Sequence, residues 1–262
     1  MGCRPGRARV VPETKGRFVI LRALCAQSRS FTADIVLLWS AVAAFAMSLS
    51  LATSVPPEFA TAPADVREAL IAPFGAVLAT YGAVVAAVYG SFRYTVDRRD
   101  GVIAQRLMLQ PRWVIFLTRM PTSALGGAVV ALAGVVGGHV ALMIAMGGIP
   151  VQWSSVGPVV ALGAVAGLWG MGLGIVIQTH LVALFAASMS MAAAMLVAPF
   201  WSAGAVYLPL LAMLEALQFD ITALGVEPKD SLDTWLAVLV VAGWVVAALG
   251  VGAVAFLKRD VK

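Results

Sequence analysis

Charged side chains are scarce in this sequence. Asp, Glu, Lys and Arg make up 12% of the 262 residues, whereas 61% are hydrophobic; soluble domains have about 25% charged residues. A chain of this length that folded in water would have to expose much of this apolar surface, because the exposed area of a fold falls only slowly with size. The composition therefore excludes a soluble domain and predicts an all-α integral membrane protein.

Cysteine and histidine are also scarce: the chain has Cys3 and Cys25 near its N-terminus, and His139 and His180 far apart. Two isolated histidines do not make a metal cluster, and we expect the cysteines to be reduced thiols if the N-terminus is cytoplasmic. The phosphate-binding pattern Gly-x-x-x-x-Gly-Lys-Ser/Thr is missing. We therefore expect no metal, no cofactor bound by this chain, and no enzyme activity of its own by ATP hydrolysis.

Six apolar runs are long enough, at about 20 residues, to cross a bilayer as helices. They cover residues 35–53, 71–92, 120–147, 156–178, 181–204 and 234–257. The first run follows a long basic leader and is too long for a cleaved signal peptide, so we expect it to stay in the membrane. The predicted organisation is a basic leader (1–34), a six-helix transmembrane domain (35–257) and a short tail (258–262).

The positive charges predict the orientation of these helices. Of the 18 Lys and Arg residues, all but Arg67 and Lys229 lie in the leader, in the loop 93–119 or in the tail. Six spans place these three segments on one side, which the positive-inside rule identifies as cytoplasmic. We therefore predict a multi-pass protein of a bacterial plasma (inner) membrane with both termini in the cytoplasm. Because the basic residues flank the membrane, they predict contact with lipid and no nucleic-acid partner.

The leader contains an amphipathic stretch at residues 14–29. At about 100° per residue, Lys15, Arg22 and Arg29 share one helical face, while Phe18 lies mostly on the other. This pattern predicts a helix that lies in the headgroup layer of the membrane. An unstructured leader that only sets the topology is the alternative.

The loop between the second and third runs is longer than a simple connection between two helices requires. Its dense charges end at Asp100, Gly101 interrupts them, and Pro111 would stop a helix formed by residues 102–109. Two helical turns bounded by Gly and Pro would project from the charged side and fit a groove on a cytoplasmic partner. A solvated interfacial helix without a partner is the alternative.

A stretch before the last run, residues 199–231, is too polar and broken for a span, yet too apolar for a plain loop. Its helix-breaking and acidic residues include Pro199, Gly204, Pro209 and Glu215. It predicts a re-entrant or interfacial pair of short helices on the outer side, where broken backbone must be buried in protein. Glu215 would either end a pathway or face water at the rim. His139 in the third run would line a cavity or bond a neighbouring helix.

Taken together, these features resemble the ABC-2 type transporter permeases: an amphipathic basic helix, six spans, a Gly-to-Pro helix in the first inner loop, a broken outer segment, and a tail with Phe256, Arg259 and Asp260. In that family the Gly-to-Pro helix is the coupling helix, which contacts the ATPase subunit. The resemblance assigns this role to Asp97, Gly101, Arg106, Leu107, Pro111 and Arg112. Val102 stands where the family usually has Thr, so the hydrogen bond of that Thr is absent here.

The resemblance implies the permease subunit of an ATP-driven exporter. Two copies of this chain, or one copy and a homologous permease, would pair with two separate ABC ATPase subunits that bind ATP and Mg. Closure of those subunits would switch the permeases between inward-facing and outward-facing states. An apolar pathway with few charges suits drug-, lipid- or peptide-like cargo. The residues expected along the pathway or its outer gate are His139, Pro199, Gly204, Pro209 and Glu215.

Two other functions compete with this one. A secondary transporter or an immunity-type membrane protein would need no ATPase, but ion-coupled carriers place ionisable groups within their spans, and here His139 is nearly alone there. A membrane-embedded enzyme is the third reading, because residues 100–106 resemble the opening of a phosphatidyl transferase motif. The Arg is displaced by one residue, however, and no acidic residue follows until Glu215, whereas metal-dependent transfer needs several converging carboxylates.

Overall fold

The computed structural model describes residues 34–56, 63–146 and 156–258. Within these ranges the chain is helical and contains no β-strand. The predicted leader helix and the tail residues Arg259 and Asp260 lie outside the described residues. The structure therefore bears on the transmembrane domain and on most of the segments that connect its helices.

Nine α-helices follow one another in the described residues. They are α1 (Ile35–Leu49), α2 (Ala64–Arg99), α3 (Val102–Leu107), α4 (Arg112–Met146), α5 (Val156–Ile177), α6 (His180–Val197), α7 (Ser202–Ala205), α8 (Pro209–Ala216) and α9 (Thr234–Lys258). Short 3-10 turns are found at Ser50–Ser54, Thr222–Leu224 and Pro228–Asp230.

Five of these helices contain a stretch long and apolar enough to cross a membrane. The stretches are Phe74–Arg99, Arg112–Ala145, Val156–Ile177, His180–Val197 and Thr234–Lys258. They agree with the predicted class, a helical multi-pass membrane protein. The first predicted run instead forms a shorter apolar helix, α1, of 15 residues, followed by the turn Ser50–Ser54.

The helices on either side of the inner loop are longer than the apolar runs predict. α2 continues to Arg99 and α4 begins at Arg112, so residues 100–111 alone separate them. Arginine is a good helix former, and a helix ends where its backbone is capped rather than where an apolar run ends. Gly101, with a left-handed φ of 73°, follows the end of α2, and Pro111 immediately precedes α4.

α5 lies at the centre of the bundle, in contact with α2, α4 and α9. Its glycines let these helices approach backbone to backbone. A Cβ atom at Gly163 would lie 2.4 Å from the carbonyl oxygen of Gly127 on α4, and one at Gly170 would lie 1.8 Å from the carbonyl oxygen of Ala87 on α2. Any side chain there would push the helices apart, which is the close packing expected from small residues at four-residue spacing.

Side-chain contacts fix the direction of the helices. Asp34, just before α1, pairs with Arg93 near the end of α2, and Arg112 at the start of α4 donates to the carbonyl oxygen of Leu257 near the end of α9. Asp97 of α2 also pairs with Arg119 of α4, and Thr95 of α2 contacts His180, the first residue of α6. Thus α1, α4 and α6 begin, and α2, α5 and α9 end, at one end of the bundle, called the basic end. Its arginines are Arg93, Arg98, Arg99, Arg106, Arg112 and Arg119.

The chain between α6 and α9, residues 198–233, lies at the opposite end and is called the broken segment. α6 ends at Val197, earlier than the predicted boundary at residue 204, because Pro199 has no backbone N–H with which to continue the helical hydrogen bonds. The short helices α7 and α8 and two 3-10 turns follow. This segment is therefore neither an extension of α6 nor an extended loop.

Candidate functional site

α3 connects α2 to α4 at the basic end, where the Gly-to-Pro pattern predicts a short helix. Its six residues, Val102–Leu107, are too few for a helix that is stable alone. Ile103 holds it in place, because this side chain is fully buried in an apolar cluster with Tyr94, Ile115 and Phe256. Helices α2, α4 and α9 therefore share one anchor with α3.

The chain after α3 presents apolar side chains to the surroundings. Met108 is 87% exposed and Leu109 is 84% exposed, and Gln105 on α3 is exposed as well. These three residues are called the α3 tip. Exposed apolar side chains that lie together mark surfaces that a partner or lipid covers. The α3 tip is therefore the part of the inner loop that is available for contact with a partner.

The predicted coupling residue Asp97 faces the bundle. It forms an ion pair with Arg119 of α4, and the two side chains are 20% and 5% exposed. Arg119 also lies over the ring of Tyr94, 5.5 Å from its centroid. The pair therefore ties α2 to α4 directly behind α3. Sequence reasoning counted Arg119 only as a topology charge, because no local pattern links residues 22 positions apart.

Two predicted coupling arginines also point back to the bundle. Arg112 Nη1 donates to the carbonyl oxygen of Leu257 at 3.1 Å and so satisfies a carbonyl near the end of α9. Arg106 is partly buried, and burial together with the nearby cation of Arg119 lowers its pKa. Neither guanidinium group belongs to the exposed tip.

The set of predicted coupling residues therefore divides by position. Gly101 and Pro111 bound the α3 region, and Leu107 packs on the apolar cluster around Ile103. Asp97 and Arg112 join the neighbouring long helices to one another, and Arg106 is partly buried. The side chains that stand out, Met108 and Leu109, are missing from the predicted set. A single sequence does not show which side of so short a helix its neighbours cover.

A second charged cluster lies at the basic end where α1 begins. Arg93 and Asp34 form an ion pair with side chains that are 6% and 7% exposed. The Tyr89 hydroxyl donates to Asp34 Oδ2 at 3.2 Å and accepts from Arg93 Nη1 at 3.0 Å. Asp34 Oδ1 also accepts the backbone N–H groups of Val36 and Leu37, and so caps α1. Burial of these charges is tolerated because both are paired and hydrogen-bonded.

The broken segment buries its acidic residue. α8 is covered along most of its length, with Leu210 and Leu214 fully buried. Glu215 is 8% exposed, and its two carboxylate oxygens accept the N–H of Leu232 at 2.9 and 3.1 Å. Burial raises the pKa of Glu215, and this hydrogen bond partly offsets the rise. The expectation that Glu215 faces water at the rim is therefore wrong, since its carboxylate fastens α8 to the stretch before α9.

The other residues predicted for the pathway occupy separate places. Pro209 is the first residue of α8, and Pro199 lies in the turn after α6. Gly204 lies in α7, where a Cβ would come within 2.5 Å of the Trp201 ring. His139 lies on α4, and its Nε2 atom is buried with no hydrogen-bond partner in the described part of the chain. The hydrogen bond expected from His139 to a neighbouring helix is therefore not found at that atom.

Among the described residues, no three His, Cys, Asp or Glu side chains come together in a group that could hold a metal ion. No protein-family model, no curated protein and no solved structure matches the chain. Any functional assignment therefore rests on the residues of this chain and on their geometry.

Proposed function

We propose that this chain is the permease subunit of an ATP-driven exporter of the ABC-2 type. It acts as a dimer, with itself or a homologous permease, and with two separate ATPase subunits that bind ATP and Mg. The main support for the proposal is the exposure of the α3 tip. A short anchored helix holds Met108 and Leu109 outside the bundle there. An exposed apolar pair on a rigid support fits a groove on a partner.

The support behind the α3 tip suits the transmission of force. Gly101 alone lies between Asp100, the cap of α2, and the start of α3. Ile103 is anchored among α2, α4 and α9, and the ion pair behind it ties α2 to α4. Both of these long helices pack along α5. A displacement of the tip would move α2 and α4 together against α5, a rigid-body shift of the kind that switches transporters.

Six crossings and cytoplasmic termini form part of the proposal. α1 rises about 22 Å and the turn Ser50–Ser54 adds about 10 Å, which together match the ~30 Å hydrocarbon core of a bilayer. Both ends of the described chain lie at the basic end, which the positive-inside rule orients toward the cytoplasm of a bacterium. α8 is too short to cross, and its burial is what broken backbone at membrane depth requires. That burial supports a re-entrant segment on the outer side.

The proposed cargo is drug-, lipid- or peptide-like. The outward faces of the long helices carry apolar side chains such as Ile144, Phe185 and Val246. A pathway formed between two copies would therefore be lined by few charged groups and much apolar surface, which suits an apolar cargo better than an ion.

Co-purification tests the partner. The full chain would be extracted in mild detergent under conditions that trap ATP, and the ATPase recovered with it would be quantified. The double variant Met108→Ser, Leu109→Ser should lower this recovery by about tenfold or more, because losing ~1.4 kcal/mol of apolar contact is worth that factor. The matched control is Phe200→Ser, since Phe200 is 91% exposed but lies in the broken segment. Its recovery should equal that of the unchanged chain.

Two outcomes would contradict the proposal at different levels. If the unchanged chain brings no ATPase with it, the chain is not a subunit of such an exporter. If the double variant brings as much ATPase as the control, the docking site lies away from the α3 tip.

A secondary transporter or immunity-type protein is the second candidate. The observation that favours it is the buried cluster of Asp34, Tyr89 and Arg93, because ion-coupled carriers place ionisable groups within the membrane domain. Transport that requires a proton gradient and is insensitive to ATP would establish this candidate in place of the exporter.

A further inference from the structure

A polar cavity of about 330 Å³ opens at the basic end beside the connection between α5 and α6. It is lined by Thr95, Arg98, Arg99, Gln178 and His180. The ion pairs of the described residues involve neither Arg98 nor Arg99. The cavity therefore holds two arginines that form no ion pair with a carboxylate of the described residues.

The wall of this cavity is fixed by contacts between helices. Thr95 Oγ1 lies 2.9 Å from His180 Nδ1, and the ring of Phe92 packs against the ring of His180 with 4.1 Å between centroids. Gln178 has a left-handed backbone, with φ at 63°, and forms the tight turn that brings His180 back against α2. The ring of His180 is thus positioned before any ligand arrives, which lowers the entropy cost of binding.

An apolar groove lies next to the cavity, along the membrane helices. It has a volume of about 550 Å³, lies between α1, α2 and α6, and is lined by residues that include Trp39, Ala43, Val85, Phe92 and Leu184. Phe92 lines the groove and its ring packs against the ring of His180, which lines the cavity, so this pair of rings lies between the two spaces. From Val96 to Val85 the groove follows α2 for about 16 Å, close to the ~15 Å of hydrocarbon in one leaflet.

We propose that an anionic phospholipid binds here, with its phosphate against Arg98, Arg99 and His180 and one acyl chain along the groove. Guanidinium groups form charge-assisted hydrogen bonds with phosphate oxygens, and basic pockets between membrane helices select acidic headgroups. A basic cavity next to an apolar groove as deep as one leaflet matches the two halves of one lipid. The inference needs no ATPase partner, so it stands or falls separately from the proposed function.

Two other occupants match these surfaces less well. Residues 1–33 contain seven Lys or Arg residues and one acidic residue, Glu13, so they carry the same sign of charge as the cavity. A second copy of the chain, placed side by side in the same membrane, would bring its own basic end to the same level. Neither occupant has the net negative charge that would complement Arg98 and Arg99.

Retention of lipid by the full chain tests the proposal. The protein would be reconstituted in nanodiscs with equal amounts of phosphatidylcholine and phosphatidylglycerol, extracted in detergent, and analysed by native mass spectrometry. The unchanged chain should keep phosphatidylglycerol in preference to phosphatidylcholine. The double variant Arg98→Gln, Arg99→Gln should weaken this preference by about twenty-five-fold, because each basic residue near an acidic headgroup contributes a factor of about five.

Two further variants separate the cavity from the groove. Lys258→Gln removes an exposed positive charge at the basic end outside the cavity, and it should leave the preference unchanged. Ala43→Trp places a large ring in the groove at an exposed position, and it should reduce the retention of phosphatidylglycerol while both arginines are intact.

Several results would overturn the proposal. Equal retention of the two lipids by the unchanged chain, or an unchanged preference in the arginine double variant, would rule out a selective lipid site. Displacement of the lipid by inorganic phosphate alone would assign the cavity to free phosphate. A disulfide from Ala43→Cys to Cys25, or between two Ala43→Cys chains, would place the leader or a second copy in the groove.

Discussion

The basic end and the broken segment both bury carboxylates, and they do so by different means. At the basic end, Asp34 pairs with Arg93 of another helix. In the broken segment, Glu215 accepts a backbone N–H from Leu232, and buried leucines of α8 supply most of the contact area. The first arrangement depends on a pair of charges and fails when either is lost. The second depends on packing and responds to pH.

The largest expected effect is at the basic end. Arg93→Met would leave Asp34 charged, buried and unpaired, which costs about 3–5 kcal/mol. Adding Asp34→Asn, which keeps a cap for α1, should recover most of this loss. Free energies of unfolding by SDS titration in bicelles, for both single variants and the double variant, measure the effect.

The matched control for this pair is Lys258→Met, because Lys258 is exposed at the same end. Its free energy of unfolding should stay within about 0.5 kcal/mol of the unchanged chain. If Arg93→Met is as stable as this control, the basic end is not held together by charge and the contrast between the two regions fails.

The broken segment should respond to loss of volume. Leu210 is fully buried in α8, so Leu210→Ala should lower the free energy of unfolding by about 3 kcal/mol through lost contacts and a cavity. Leu196→Ala, at a side chain that is 59% exposed on α6, serves as the control and should cost about 1 kcal/mol or less. The same titrations give both free energies of unfolding. Equal losses in the two variants would show that the packing of α8 does not stabilise the broken segment.

The smallest expected effect is the pH dependence of the broken segment. Burial raises the pKa of Glu215 above its ordinary value of 4.5, so the folded chain binds this proton more tightly than the unfolded chain does. The stability contributed is full below pH 4.5 and is lost as the pH rises through the raised pKa. Glu215→Gln keeps an acceptor for Leu232 and should flatten the fall of Tm with pH above 4.5.

A control for this titration lies in the same segment. Glu227 is exposed, and Glu227→Gln should leave the pH dependence of Tm as it is in the unchanged chain. If Glu215→Gln and Glu227→Gln give the same slope, the buried carboxylate does not make the broken segment sensitive to pH.

The positions of the long helices could be predicted from the sequence, whereas the helix ends could not. Apolar runs report which residues can lie in a bilayer, and five of the six runs correspond to long apolar helices. A helix continues through polar residues beyond the bilayer until a capping residue ends it. For this reason α2 and α4 extend well into the predicted loop. Gly101 and Pro111 predicted α3 because their backbone constraints act locally.

The site residues were harder to predict because their contacts are not local. The partners Arg93 and Asp34 are 59 residues apart, and the sequence offers only an Asp before an apolar run, which is typical of a helix cap. His180 was considered only as a metal ligand, although it lines the basic cavity. The exposure of Met108 depends on the orientation of α3, which is set by the burial of Ile103. No pattern in the neighbouring sequence indicates that orientation.

A single glycine sets the angle at which α3 leaves α2. A Cβ at Gly101 would meet no other part of the chain within 4 Å, so glycine is favoured there by its left-handed φ of 73° and not by lack of space. α3 is about 9 Å long, and a rotation of ~10° at Gly101 would carry its far end through about 1.5 Å. Helix shifts of about 1–2 Å are those by which packed interfaces switch. Because Ile103 is fully buried among α2, α4 and α9, a rotation of α3 would be passed to these helices, and the shortness of α3 keeps the movement within the amplitude that they can follow.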